Sequence, residues 1–101
     1  MSEIKVLKFG AEWCGPCRVL DPIIDGLKEK YEDIIFESIN VDDSENNEIS
    51  QEYGIRSIPA VFILKDGKTV DKFVGFKDED SIKELLDKAS KEESEDESEK
   101  K

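Results

Sequence analysis

Cysteine occurs twice in this chain, at Cys14 and Cys17, inside the string Trp13-Cys14-Gly15-Pro16-Cys17. Two thiols separated by two residues can close a small disulfide ring and open it again. A strand-like run, Ile4 to Phe9, precedes the string, and a helical pattern follows it. Pro16 suits the first turn of that helix, where its missing N–H would go unpaired in any case. Cys14 is therefore expected at a helix N-terminus, where unpaired N–H groups and the helix dipole favour an anion. A thiolate is that anion, and such placement lowers a cysteine pKa. Cys-x-x-Cys within a βαβ pattern reads as a redox motif.

Three other uses compete. A structural zinc site takes four ligands, usually Cys and His. The chain has no His and no third Cys, so zinc would need carboxylates or a second chain, and no metal is expected. A purely structural disulfide would gain little from so short a loop, because stabilisation grows with loop length. Two inert, buried thiols are the third possibility. The redox reading is preferred over all three.

One domain fits 101 residues. The formal net charge of −11 and the 41% charged content argue against nucleic-acid or anionic-membrane partners, since those surfaces repel such a chain. No apolar run approaches the roughly 18 residues of a membrane span. Met1-Ser2-Glu3-Ile4-Lys5 lacks the pattern of a secretion signal. A cytoplasmic location is expected, with thiols kept reduced by the surroundings.

Ile4 to Phe9 reads as the first strand, near-continuously apolar and so buried on both faces, with Lys5 and Lys8 as interruptions. Cys14 to about Tyr31 reads as a helix with Val19, Leu20, Ile23, Ile24, Leu27 and Tyr31 on one stripe. Pro22 interrupts its hydrogen-bond ladder. Ile34 to Val41 is a second strand, parallel to the first through a right-handed crossover. The polar stretch from Asp42 to Asn47 starts a turn and a short helix ending near Tyr53-Gly54. Ala60 to Leu64 is a third strand, preceded by Ser57-Ile58-Pro59. Asp66-Gly67 signals a hairpin to a fourth strand, Thr69 to Val74. Gly75 ends that strand. Asp78 or Ser81 caps the last helix, whose Ile82, Leu85, Leu86 and Ala89 repeat at helical spacing. Residues 1–90 form the domain. From Lys91 to Lys101 six acids face three lysines with no apolar residue, so an acidic, disordered tail is expected.

Trp13-Cys14-Gly15-Pro16-Cys17 resembles the redox motif of the thioredoxin family. Ala11-Glu12, Pro22, Asn40-Val41-Asp42, Tyr53-Gly54-Ile55-Arg56-Ser57-Ile58-Pro59, Lys65-Asp66-Gly67 and Val74-Gly75 resemble the family in order and spacing. The likeness spans roughly Val6 to Ala89. It implies an α/β fold, β-α-β-α-β-β-α, with a four-stranded mixed sheet flanked by helices. Longer members carry an extra strand and helix first, which this chain begins too late to hold, so one sheet edge is expected to be less protected.

The resemblance implies a protein-disulfide reductase. Cys14 would attack a substrate disulfide, and Cys17 would resolve the mixed disulfide. Trp13, Gly15, Pro16, Ile58, Pro59 and Gly75 would bind substrate, with Ile58 pairing an extended segment through its backbone. The Ile58–Pro59 bond would be cis, although X-Pro bonds are mostly trans. The redox-active disulfide is then the only prosthetic element. NADPH and FAD would enter only through a partner thioredoxin reductase, because no Gly-rich cofactor fingerprint is present. The protein would act as a monomer on disulfide-containing proteins. Two other classes stay open: a glutaredoxin-like reductase using glutathione, and a non-catalytic binding subunit on the same fold.

The chain departs from the family at two neighbouring positions. Most members bury an aspartate six residues before the first cysteine, where this chain has Lys8. The family's neighbouring lysine falls at Ser38. Lys8 is thus a candidate for tuning the thiols. It could snorkel to solvent, stabilise a Cys17 thiolate as a nearby cation, or lose its proton and act as a base.

Overall fold

Apolar side chains on both faces of Ile4–Gly10, the strand β1, put it inside a sheet rather than at an edge. The computed structural model describes residues 3–91. After β1 come α1 (Gly15–Lys30), β2 (Ile34–Asn40), a 3-10 turn (Ser44–Asn46), α2 (Asn47–Glu52), β3 (Ala60–Lys65), β4 (Lys68–Val74) and α3 (Glu79–Lys91). The sheet order is β2-β1-β3-β4. β1 runs parallel to β2 and antiparallel to β3, and β4 is antiparallel to β3. This is the expected four-stranded mixed sheet, with β2 at one edge and β4 at the other.

Strand alternation sorts the core into two layers. Ile4 and Val6 of β1, with Val61 and Ile63 of β3, meet Leu20, Ile24 and Leu27 of α1 and Ile82, Leu86 and Ala89 of α3. Leu7, Phe9, Ala60, Phe62 and Leu64 point the other way, beneath Ile49 and Tyr53. There Phe9, Tyr53 and Phe62 form a tilted and edge-to-face cluster with centroids 4.9–5.7 Å apart, a favoured arrangement for aromatic quadrupoles. Even-numbered β1 residues therefore face α1. Lys8 and Gly10 share that face.

The hairpin forms as its sequence predicts. Asp66 and Gly67 both take positive φ, 54° and 87°, as a two-residue turn matched to strand twist requires. The Asp66 N–H also donates to Glu3 O at 2.8 Å, and Asp66 Oδ1 accepts from the Glu3 N–H at 2.9 Å.

Of the two candidate caps of α3, Asp78 is the one that forms: Asp78 Oδ1 accepts from the Ser81 N–H at 2.9 Å, so the helix starts earlier than a Ser81 cap would allow. Two expectations need correction. Val19 is not in the α1 stripe; it is 57% exposed. The stripe is Cys17, Leu20, Ile24 and Leu27, and Val19 lies one residue off that row, too far round the helix to reach the sheet. Lys91, expected to open the tail, is the last residue of α3. The remainder of the expected tail lies outside the described residues.

Candidate functional site

The cysteine pair sits where β1 hands over to α1. Cys14 is the N-cap of α1, with extended backbone (φ −87°, ψ 110°), and Pro16 occupies the first turn. The Cys17 N–H donates to Cys14 Sγ at 3.2 Å. A cap atom normally takes this helix-end N–H; here the cap atom is the sulfur that reacts. The Cys14 N–H donates in turn to Ala11 O at 3.2 Å, closing the loop beneath it. Cys14 and Cys17 form a disulfide with Cα atoms 5.2 Å apart. Both are buried, at 4% and 2% exposure, while Gly15 and Pro16 between them are exposed.

Gly10 is a neighbour that the sequence reading passed over. A Cβ built on it would stand 3.1 Å from Cys17 Sγ and 3.5 Å from Cys17 Cβ. The end of β1 thus has to lack a side chain for the second sulfur to lie against it. A glycine closing a strand just before a Cys-x-x-Cys loop is the signal that could have been followed.

Trp13 is 69% exposed, and its Nε1–H donates to Asp42 Oδ2 at 2.6 Å. Asp42 follows β2. That loop is tied to β1 by the Val41 N–H on Gly10 O, 2.9 Å, and its turn is set by the Asp42 N–H on Asn40 Oδ1, 2.9 Å. Asp42 belonged to the string Asn40-Val41-Asp42, but nothing in its spacing marked it as a partner of Trp13.

The Ile58–Pro59 bond is cis, as the resemblance implied. Pro59 is buried and Ile58 half-buried against the α2-side core. Ala60 pairs with Phe9 on one side and Val74 on the other. The ends of β1 and β4 and the start of β3 therefore meet at the end of the sheet that carries the cysteines. The Gly75 N–H donates to Pro59 O at 2.8 Å. A Cβ on Gly75 would meet nothing of this chain within 4 Å, but its φ is +90°, a backbone conformation that favours glycine.

Lys8 is 7% exposed, so its ammonium does not snorkel out to bulk solvent. Its Nζ donates to Asp21 Oδ1 of α1. Burial pushes Lys8 below the ordinary lysine range, and Asp25 opposes that shift. The contact with Asp21 likewise favours the charged form. Lys8, Cys17 and Asp21 line one cleft of about 970 Å³, together with Gly10, Trp13 and Arg18. Asp21 stands four residues after Cys17, and that i+4 spacing makes the two neighbours on α1.

A sequence model described as Thioredoxin matches residues 1–88. The chain belongs to the thioredoxin family. It is 39% identical over 89 residues to thioredoxin from Chlamydia caviae, covering 88% of this chain and 85% of that one. It is 47% identical over 81 residues to thioredoxin from Mycoplasmoides gallisepticum, covering 80% and 79%. Among solved structures, Fasciola hepatica thioredoxin superposes with a TM-score of 0.79 at 32% identity, covering 86% and 81%. A mutant thioredoxin from Halobacterium salinarum gives 0.81 at 35%, covering 88% and 76%. The protein is a thiol–disulfide oxidoreductase of the protein-disulfide reductase type, carrying its Cys14–Cys17 pair in the family's arrangement. Family members act on disulfide substrates and are typically reduced by thioredoxin reductase. Among the described residues, no helix is long and apolar enough to cross a membrane.

Proposed function

We propose that Cys14 is the attacking sulfur and Cys17 the resolving one, in a cycle that reduces protein disulfides in the cytoplasm. In the reduced chain, Cys14 Sγ at the N-terminus of α1 would keep the Cys17 N–H that it accepts in the disulfide form. The helix terminus and that hydrogen bond both favour a thiolate over a thiol. The Cys14 thiolate attacks one substrate sulfur; the substrate S–S bond breaks, and its electron pair leaves on the other sulfur, which takes a proton from solvent. Cys17 then loses its proton and attacks Cys14 Sγ. The Cys14–substrate bond breaks, the second substrate thiol departs, and the Cys14–Cys17 disulfide remains. Two electrons have passed from the protein to the substrate.

The observation that carries this reading is Cys14 at the cap of α1 with the Cys17 N–H on its sulfur. Gly15, Pro16 and Trp13, exposed beside a buried pair, offer the surface that a substrate would meet. Ile58, Pro59 and Gly75 stand at the same end of the sheet, where the Ile58 backbone would pair with an extended substrate segment. Recycling falls to a thioredoxin reductase supplying electrons from NADPH through its FAD; the chain itself works as a monomer and holds no cofactor besides its disulfide.

The test is insulin reduction with NADPH and thioredoxin reductase, and separately with glutathione. Turnover with the first and not the second is expected; the reverse would make the protein glutaredoxin-like. Cys17→Ser should accumulate a mixed disulfide through Cys14, and Cys14→Ser should abolish turnover. Full biological activity in the two serine variants would leave only a binding role.

A further inference from the structure

We propose that the Lys8 ammonium, held in place by Asp21, stabilises the Cys17 thiolate that resolves the mixed disulfide. The proposal rests on Cys17 being the resolving sulfur. Two independent pieces of geometry bring Lys8 and Cys17 to one cleft. Along β1, Lys8 and Gly10 are two residues apart and share the α1-facing side, and a Cβ on Gly10 would stand 3.1 Å from Cys17 Sγ. Along α1, Cys17 and Asp21 are four residues apart and therefore neighbours one turn along the same face, and Asp21 takes the Lys8 hydrogen bond. Both routes lead into the cleft that Lys8, Cys17 and Asp21 line together.

The surroundings give that cation leverage. Lys8 is 7% exposed and Cys17 2%, so charge at one acts on the other with less screening than between surface groups. Across the sheet Lys8 faces Ser38 on β2 and Val61 on β3, neither of which is charged. The other charged groups lining the cleft are Arg18 and Asp21 on α1, Glu12 in the cysteine loop and Asp42 after β2, and Asp25 on α1 acts on Lys8 by its charge. Asp21 has an outer side: its side chain is 47% exposed against 9% for that of Lys8, so its carboxylate remains partly hydrated. Asp21 is thus a positioning residue, and Lys8 supplies the field.

In the step itself, Cys17 Sγ–H gives its proton to solvent through the cleft. The thiolate attacks Cys14 Sγ, the Cys14–substrate bond breaks, and the electron pair leaves on the substrate sulfur. Lys8 forms no bond to either sulfur and keeps its proton throughout.

The test is a pH titration of the reduced full-length protein by NMR, reading the Cβ carbons of both cysteines. Lys8→Met should cut the Cys17 thiolate fraction at a given pH by about tenfold or more, the usual scale for losing a nearby opposite charge. A more basic sulfur is also more nucleophilic, with a Brønsted coefficient of about 0.4–0.5, so resolution of a preformed mixed disulfide should slow about threefold to fourfold. Lys8→Arg keeps the charge and should titrate within twofold of the parent. Should circular dichroism show Lys8→Met unfolded, Lys8→Gln, which removes the charge but keeps a polar end, carries the same test. Equal titration of the parent and the neutral variant, or parallel shifts in the neutral and Arg variants, would each overturn the proposal. Insulin turnover by the parent protein separates this from failure of the redox reading itself: an inactive parent sinks the function, whereas an active parent with an unmoved Cys17 sinks only the role of Lys8.

Discussion

The Trp13 indole and the Asp42 carboxylate, 29 positions apart in the chain, are joined by a 2.6 Å hydrogen bond beside the cysteine pair. The bond fixes an otherwise exposed aromatic ring through the one polar atom it has. Asp42→Ala should release the ring. A charge-assisted hydrogen bond contributes about 1.5–3 kcal/mol when well formed, and exposure reduces that. A fall of about threefold to tenfold in kcat/KM for insulin is expected, together with altered Trp13 fluorescence. Cys14 alkylation should be nearly unchanged. A parent-like kcat/KM would mean that the ring's orientation does not matter to substrate.

Gly10→Ala should be felt at Cys17. The added methyl group meets a buried sulfur at 3.1 Å, and overpacking a tight interior costs about 1–3 kcal/mol. Reduced freedom of the unfolded chain returns about 0.4–1 kcal/mol. A net loss of about 1 kcal/mol corresponds to a Tm lower by about 4–8 °C in a domain of this size. The loss should be larger in the oxidised protein, where the sulfur is tethered, than in the reduced one. Calorimetry of both forms reads the difference.

The start of α3 makes stability depend on acid. Ser81 holds the Asp78 carboxyl below its ordinary value of 3.8 through hydrogen bonds, and Lys30, 2.7 Å from Glu79, holds the Glu79 carboxyl below 4.5. A carboxylate whose folded-state pKa is depressed contributes its full stability above its unfolded value and loses it as pH falls through the folded value. The affected window therefore begins near those ordinary values and extends below them. Urea unfolding across that range should show a shallower acid limb in Asp78→Asn, and a shallower one again when Glu79→Gln is added. An unchanged limb would remove both residues from the acid response.

Leu20→Ala tests the layer that carries the cysteine helix. Leu20 is fully buried between α1 and the sheet. Such truncations cost about 2–5 kcal/mol, a large part of the roughly 5–15 kcal/mol that a domain possesses. A guanidinium midpoint much lower than the parent's, with the slope unchanged, is the expected result.

Much of this architecture was legible because several signals agreed at each element. The apolar run of β1, the Pro16 start of α1, the Asp-Gly hairpin and the Leu86 stripe each pointed to the element now seen. The cysteine loop was legible for the same reason, and the cis bond came from likeness to the family alone. Contacts between distant segments were not legible. Asp42 meets Trp13 only because β2 is parallel to β1 and its loop returns to Gly10. Asp21 meets Lys8 only because α1 crosses that face of the sheet. Neither pairing has a periodic or local signature. Val19 was misread because an apolar residue one position off a helical row looks like a member of it.

The Asp66–Gly67 turn lies at the far end of the strands from Gly10, Pro59 and Gly75. Six residues of β3 separate the two ends, roughly 20 Å at the usual rise per residue. An attachment point introduced at that turn, whether for a dye, a bead or a surface, would therefore leave the sulfur-bearing rim unobstructed and facing away from its anchor.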